Sequence, residues 1–499
     1  MKLPTNRWFL ASCMLALCAG FIIVFNAHRY TIAPDGYEYL LAARNFGENG
    51  RLDTTLGNSY WAPNVLTSRL GYSLILGIIA QISHLDLIAI AKILGTILFF
   101  INSMLVLWFF QRRFKRTHAF VLWLMFGFSY STLFWSGLLS TDLLGQTIVI
   151  ASLIYLYSNS KQRWFEISLY FAALLIRWEL VLPLAAVMLI KYSNKQLLRQ
   201  LINITIALLF AALVVILTIS RITDFISFSI PDLSSTVNIS LPFVALSILL
   251  VIIGTTFAKI NRVQIRLHFI FILAFLLLGV GFLDTPDFSS SLENLWFLIS
   301  HELIVWLVIA FTLWWAGKRI AERELSLILI FFAGLVTYHF YFQHITMLLP
   351  FVYFAVAEVL SRHQLPALPR FMYGFLIIIP LYTLVAFTHY HLNQADLYLQ
   401  LAKAEELANC VKADFIATNF VIPAAYNFYD QREKLYPMSE LDLADSVIVD
   451  SSYPTELRAE LQNLSRLTFE NRIFISGVNR YSPTIYFNCP ANDTHSIAN

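Results

Sequence analysis

The stretch DLIAIAKILGTILFFINSMLVLWFF, residues 86–110, runs straight into QRRFKR, residues 111–116, and its reading decides the fold. Its apolar part is continuous and long enough, as a helix, to cross about 30 Å of hydrocarbon, which takes roughly 20 residues. A barrel strand would alternate polar and apolar positions, whereas a helix satisfies its own backbone groups inside lipid. The basic residues that close the stretch, Arg112, Arg113, Lys115 and Arg116, mark a cytoplasmic end.

Blocks of the same kind recur on both sides. Besides 86–110 they lie near 8–26, 118–137, 143–158, 165–176, 180–191, 198–220, 241–258, 267–283, 296–315, 325–341, 345–360 and 371–389. The expectation is an all-α membrane domain of about thirteen spans over residues 1–389. Composition agrees: 58% of the 499 residues are hydrophobic and 13% charged, against about a quarter charged in soluble domains. The net charge of +3 is absorbed by the loops and points to no nucleic-acid partner.

With the N-terminus inside, alternate connections carry the cations: Arg112–Arg116, Lys161 and Arg163, Lys191 to Arg199, Lys259 to Arg266, Lys318 to Arg323, and Arg362 with Arg370. The other connections carry Asp35, Glu38, Glu48, Asp53, Asp142, Asp232, Asp284 and Asp287. An apolar run near 70–82 is too short to span, and counting it as a span would put Arg112–Arg116 outside. It reads as a helix lying in the interface. The first span reads as an uncleaved anchor, because Leu17 stands where a lipoprotein cleavage site needs a small residue.

Residues 390–499 are more highly charged and hold short β-like runs at 414–418, 446–450, 472–476 and 484–487, with helical stretches between. Strands alternating with helices indicate a small external, periplasmic α/β domain. Cys410 and Cys489 bracket it, and an oxidising compartment makes a disulfide between them the expectation.

Two external loops hold chemistry-bearing residues. The first contains APDGYEYLLAAR, residues 33–44, in which Pro34 and Asp35 start a helix. The second is WSGLLSTD, residues 135–142. Asp35 and Asp142 each read as a helix N-cap; their shared place at one membrane face, where acids beside apolar helices are costly, also suits a general base and its partner. Arg69, before the interfacial helix, and Arg177, in the break between two short spans, either snorkel to headgroups or meet phosphate oxygens.

Together these features resemble the GT-C superfamily of integral membrane glycosyltransferases, which includes protein O-mannosyltransferases and the lipid A aminoarabinose transferase. The resemblance spans the chain in architecture, but the motifs are short. Asp35 matches the family's acid after the first span and Tyr39 the following aromatic, while Gly36 replaces a second acid and Glu38 stands where relatives carry a base. Gly71-Tyr72 through Gly77 match a Gly-Tyr-led segment, Asp142 the second external acid, and Leu175-Ile-Arg177 the broken span. Gln343-His344 leading to Leu348-Leu-Pro350 match a late segment, with Gln343 in the usual basic position.

What the resemblance implies is transfer of a sugar from a polyprenyl-phosphate-linked donor to an acceptor hydroxyl of a glycan, lipid or protein, with inversion. Asp35 and Asp142 are the expected catalytic acids; Tyr39, Glu38, Arg69, Arg177 and His344 are expected to bind substrate. No nucleotide-binding motif is visible. No cofactor is called for, and no ligand cluster of recognised spacing supports a divalent metal. Two other classes stay open, an O-antigen polymerase or ligase and a multi-pass transporter, though transporters place ionisable residues near the midplane and repeat internally.

Overall fold

The computed structural model of the chain describes residues 34–52, 54–56, 59–61, 69–137, 141–192, 197–219, 302, 321–337 and 342–362, parts of 11–22, three residues between 378 and 385, and five short strands from 416 on. The expected spans at 241–258 and 267–283, nearly all of those at 296–315 and 371–389, and both Cys410 and Cys489 lie outside them. So do the helices expected between the C-terminal strands.

The segment expected outside opens with α1 (Pro34–Asn49), whose Pro34 suits the first turn because its missing N–H is an orphan there anyway. A hairpin of β1 (Thr54–Leu56) and β2 (Ser59–Trp61) follows. The run expected in the interface is α2 (Leu70–Ser83), about 21 Å long at 1.5 Å per residue and so shorter than the hydrocarbon core. His84 ends it in the left-handed conformation at φ 56°, its N–H bonded to the Ala80 carbonyl at 2.9 Å. Asp86 then caps α3 (Leu87–Gln111), accepting from the Ala89 N–H at 2.9 Å.

The block expected to form one helix over 118–137 is instead two, α4 (Arg116–Gly127) and α5 (Tyr130–Gly137). At the break a side chain takes the place of a backbone partner: buried Glu302 accepts the Ser131 N–H at 2.5 Å, so one of the N–H groups that a helix start leaves open in lipid is satisfied; beside it the Ser129 hydroxyl donates to that of Thr132 at 2.8 Å. Beyond it run α6 (Asp142–Leu156), α7 (Arg163–Ile176), a 3₁₀ turn (Trp178–Leu180), α8 (Val181–Tyr192), α9 (Leu197–Thr218), α10 (Glu322–Thr337) and α11 (Phe342–Arg362).

Among the described residues three helices, α3, α9 and the one ending at Arg362, are long and apolar enough to cross a membrane. The core centres on α11, where every residue from Ile345 to Leu360 is buried and the helix packs on α6 and α10. Pro350 withholds the N–H that the Thr346 carbonyl would accept. Gln146 of α6 supplies the missing donor at 2.8 Å, and Asn102 of α3 steadies Gln146 at 2.9 Å. By contrast α9 exposes Leu208, Leu209, Phe210, Leu213, Ile216 and Leu217, the surface expected of a helix facing lipid.

Charged groups collect at one end of this bundle. Glu166, in the first turn of α7, is buried and accepts from Tyr155 (2.9 Å), Tyr192 (2.6 Å), Arg199 (2.8 Å), Gln200 (3.1 Å) and Asn203 (2.8 Å). Beside it Arg362 pairs with Glu324 at 2.8 Å and Arg113 with Glu358. These are the basic connections that the sequence groups on one side.

Among the described residues the C-terminal region holds five strands: β3 (Ile416–Thr418), β4 (Leu435–Pro437), β5 (Ser446–Asp450), β6 (Ile473–Gly477) and β7 (Thr484–Ile485). They form one sheet in the order β4-β3-β5-β6-β7. The pairings are parallel except β6 with β7. Four of the five fall within or beside the expected runs; β4 was not foreseen.

Candidate active site

The helix end opposite the basic cluster brings the singled-out residues together through close backbone approaches. Helix α2 carries Gly71 and Gly77. A Cβ at Gly71 would lie 3.0 Å from side-chain atoms of Leu175 and Ile176, and one at Gly77 would lie 2.8 Å from the Ala43 carbonyl oxygen. The two glycines therefore let α2 sit tightly between α1 on one side and the end of α7 on the other. Gln81 ties the same pair, donating to the Gly47 carbonyl of α1 at 2.9 Å. The loop after α1 then closes the end of α9: Arg51 donates to the Leu217 carbonyl at 3.0 Å, and the Leu52 N–H to Thr218 at 2.8 Å.

A test of this packing follows. Gly77→Val should lower stability by about 1–3 kcal/mol, the usual cost of overpacking, because the atom in the way is backbone. Gly47→Ala is the control, since its nearest neighbour is the flexible Gln81 side chain at 3.9 Å. Thermal melting of the two variants should separate them; equal melting would refute the close approach.

Within this frame Arg69, just ahead of α2, donates from Nη1 to the Tyr39 hydroxyl. The Tyr39 ring meets the Tyr72 ring edge-on, centroids 5.5 Å apart at 81°. Asp35 lies four residues before Tyr39 on α1, the spacing that shares a helix face. The side chains of Asp35, Glu38 and His344 lie outside the described residues. His344 stands in the first turn of α11, one turn before Met347, whose Sδ would lie 2.5 Å from a Cβ at Gly145 of α6.

Asp142 and Arg177 meet directly. Arg177 caps the C-terminal end of α7 and donates from Nη2 to Asp142 Oδ1 at 2.8 Å and from Nε to Thr141 Oγ1 at 2.9 Å. Both charged side chains are 0% exposed. Glu179, in the 3₁₀ turn, is 3.7 Å from Nη1 and 17% exposed. Arg177, expected to meet a phosphate oxygen, is paired here with a buried carboxylate, while its Nη1 has no hydrogen-bond partner among the described residues. Asp142 is an N1 residue with Thr141 as N-cap, so its carboxylate also favours the helix dipole.

Burial pushes the Tyr72 phenol up, and the neighbouring Tyr39 and Asp142 add to the shift. Tyr72 is thus in ring contact with Tyr39 and within electrostatic reach of Asp142. Sequence reasoning singled out Tyr72 only within the Gly-Tyr segment and did not name Thr141 or Glu179 as site residues. Their proximity to the pair is the signal, and it exists only in the fold. Among the described residues no group of three His, Cys, Asp or Glu side chains is placed to hold a metal ion.

No family model matches the chain, and no curated protein matches it in sequence. Among solved structures, ArnT from Cupriavidus metallidurans in the apo state is similar to it with a TM-score of 0.52 and 12% identity, covering 94% of this chain and 93% of that one. The structure of ArnT from the same organism bound to undecaprenyl phosphate gives a TM-score of 0.49 and 11% identity over 95% and 93%. The apo likeness shows that the chain has the fold of ArnT, a GT-C fold, which the short motifs led one to expect.

Proposed function

We propose that this chain is an integral membrane glycosyltransferase that takes a sugar from a polyprenyl-phosphate-linked donor and places it on an acceptor hydroxyl, with inversion, at the external membrane face. The N-terminus and basic loops are cytoplasmic, about thirteen spans cross the inner membrane, and residues 390–499 form a periplasmic α/β domain.

The observation that carries the reading is the Arg69–Tyr39 contact at the junction of α1 and α2, with Asp35 one turn away, on a chain that shares the ArnT fold. A partly buried arginine offers forked donors suited to a phosphate. Asp35, in the first turn of α1, is the carboxylate proposed to take the proton. ArnT itself binds undecaprenyl phosphate.

The transfer balances simply. The acceptor hydroxyl gives its proton to Asp35 as its oxygen forms a bond to the anomeric carbon. On the opposite face the bond from that carbon to the phosphate oxygen breaks, and polyprenyl phosphate departs with the electron pair. Arg69 stabilises the negative charge that grows there. Because the donor is delivered by its lipid, no nucleotide site is needed.

The test is direct binding in lipid nanodiscs. Wild-type protein should bind undecaprenyl phosphate, and Arg69→Ala should weaken that binding about 30-fold, the scale of one or two charge-assisted hydrogen bonds. Unchanged affinity in Arg69→Ala would remove Arg69 from the site.

A further inference from the structure

We infer that the helix ends opposite the candidate active site hold a binding site for the phosphate headgroup of an anionic phospholipid, formed by Lys191 and Arg323 around Tyr157.

The three side chains converge from three helices. Lys191, in the last turn of α8, donates to the Tyr155 carbonyl and, at 2.8 Å, to the Ser158 carbonyl. These two carbonyls bracket Tyr157 at the end of α6. An ammonium has three N–H donors, so one is left. Arg323, in the first turn of α10, is exposed, and its guanidinium lies 5.6 Å from the centre of the Tyr157 ring. Helix α10 packs on α8, and Lys191 feels the positive charge of both Arg323 and Lys161. The Tyr157 hydroxyl is buried and has no hydrogen-bond partner among the described residues.

The nearby carboxylates are engaged by other arginines. Glu324 pairs with Arg362, Glu358 with Arg113 and Glu166 with Arg199. Among the described residues neither Lys191 nor Arg323 forms an ion pair. A phosphate here would offset the repulsion between the cations and accept from the spare ammonium N–H and from the hydroxyl.

The surroundings favour a lipid over a soluble anion. At the start of α7, Trp164 and Phe165 are exposed, and the Phe165 ring lies 5.0 Å from that of Tyr155. Exposed tryptophan at a helix end marks headgroup depth. On α9, which packs on α7 and α8, Leu198, Leu201 and Ile202 are exposed beside Arg199, an apolar surface along which an acyl chain can lie. Basic groups between helix ends at this depth suit lipid headgroups. Snorkelling alone would carry each cation into water, whereas Lys191 is tied to two carbonyls next to a buried hydroxyl.

Native mass spectrometry of the full-length protein in micelles tests the site, with palmitoyl-oleoyl phosphatidylglycerol, phosphatidylcholine of the same chains, and inorganic phosphate as probes. Phosphatidylglycerol should bind about tenfold more tightly than phosphatidylcholine, and inorganic phosphate in large excess should not displace it. Arg323→Gln should weaken phosphatidylglycerol binding about tenfold, the scale of one charge-assisted hydrogen bond, and Tyr157→Phe about fivefold. Arg112→Gln removes the same charge elsewhere at this end, where the Arg112 guanidinium lies 4.1 Å from the Trp108 ring centre; its binding should stay within about twofold of wild type.

Equal binding of the two lipids by unaltered protein overturns the site, whatever the variants do. So does an Arg112→Gln loss as large as that of Arg323→Gln, which would mean a general attraction of the basic end for anions. Displacement by inorganic phosphate would make this a soluble-anion site and overturn the lipid assignment. The measurement reads neither sugar transfer nor undecaprenyl phosphate, so it stands or falls apart from the donor reading.

Discussion

Asp35→Asn should abolish sugar transfer in cells while leaving expression, membrane insertion and melting temperature as in wild type. The amide keeps the shape of the carboxylate but cannot take a proton from the acceptor, and loss of a general base typically costs about 10²–10⁴ in rate. Asp35 lies in the first turn of α1, where its negative charge also interacts favourably with the helix dipole, an effect of about 0.3–1 kcal/mol. The stability effect is thus small beside the activity effect. Complementation of a deletion strain with wild-type and Asp35→Asn genes separates the two. An active, normally expressed Asp35→Asn protein would sink the assignment of the base.

The second large effect is expected at the far end of the molecule and in stability. Glu166→Ala removes a carboxylate that receives hydrogen bonds from Tyr155, Tyr192, Arg199, Gln200 and Asn203. These donors come from α6, α8 and α9, so the carboxylate joins three helices to its own α7. Breaking a buried, hydrogen-bonded charge pair costs about 3–5 kcal/mol. Arg199 is 27% exposed and can turn toward water, which places the expected loss at the lower end of that range. Glu166→Gln keeps the acceptor oxygen and should lose less. Chemical unfolding in detergent micelles checks the order; an Ala variant as stable as wild type would show the network contributes nothing.

These two sites differ in how far the sequence reveals them. The apolar block at 86–110 announces α3 because its period and length leave no alternative, and the basic groups after it fix which ends of the helices lie together. Asp35 and Tyr39 are visible through a short motif, and Arg69 through its place just before the apolar run at 70–82. The break at Phe128 and Ser129 is not, because Phe-Ser inside an apolar run looks like any other turn of a span. It exists because Glu302, far away in the chain, supplies a bond to the Ser131 N–H. Likewise Asp142 and Arg177 are each noticeable, but nothing in their separation of 35 residues says that one neutralises the other. Strand β4 escaped notice since Leu435-Tyr-Pro437 is short and ends in proline, which belongs at a sheet edge, where the strand indeed lies. Local pattern discloses elements; which charges meet is decided across the fold.

That distinction shapes the account of the site. Two arginines at one end of the bundle look interchangeable in the sequence. In the fold Arg177 is enclosed with Asp142, and Arg69 stands partly open beside Tyr39. The glycines of α2 serve the same end, since each marks a place where a side chain would force helices apart.

The central claim, a sugar transferred from a polyprenyl-phosphate donor, is tested most directly by mass spectrometry of envelope glycans and lipids from cells with and without this gene. The account predicts that deletion removes one sugar from one envelope glycan and that the polyprenyl-phosphate-linked form of that same sugar accumulates. An unchanged glycan profile, or a missing sugar with no lipid-linked precursor building up, would contradict it.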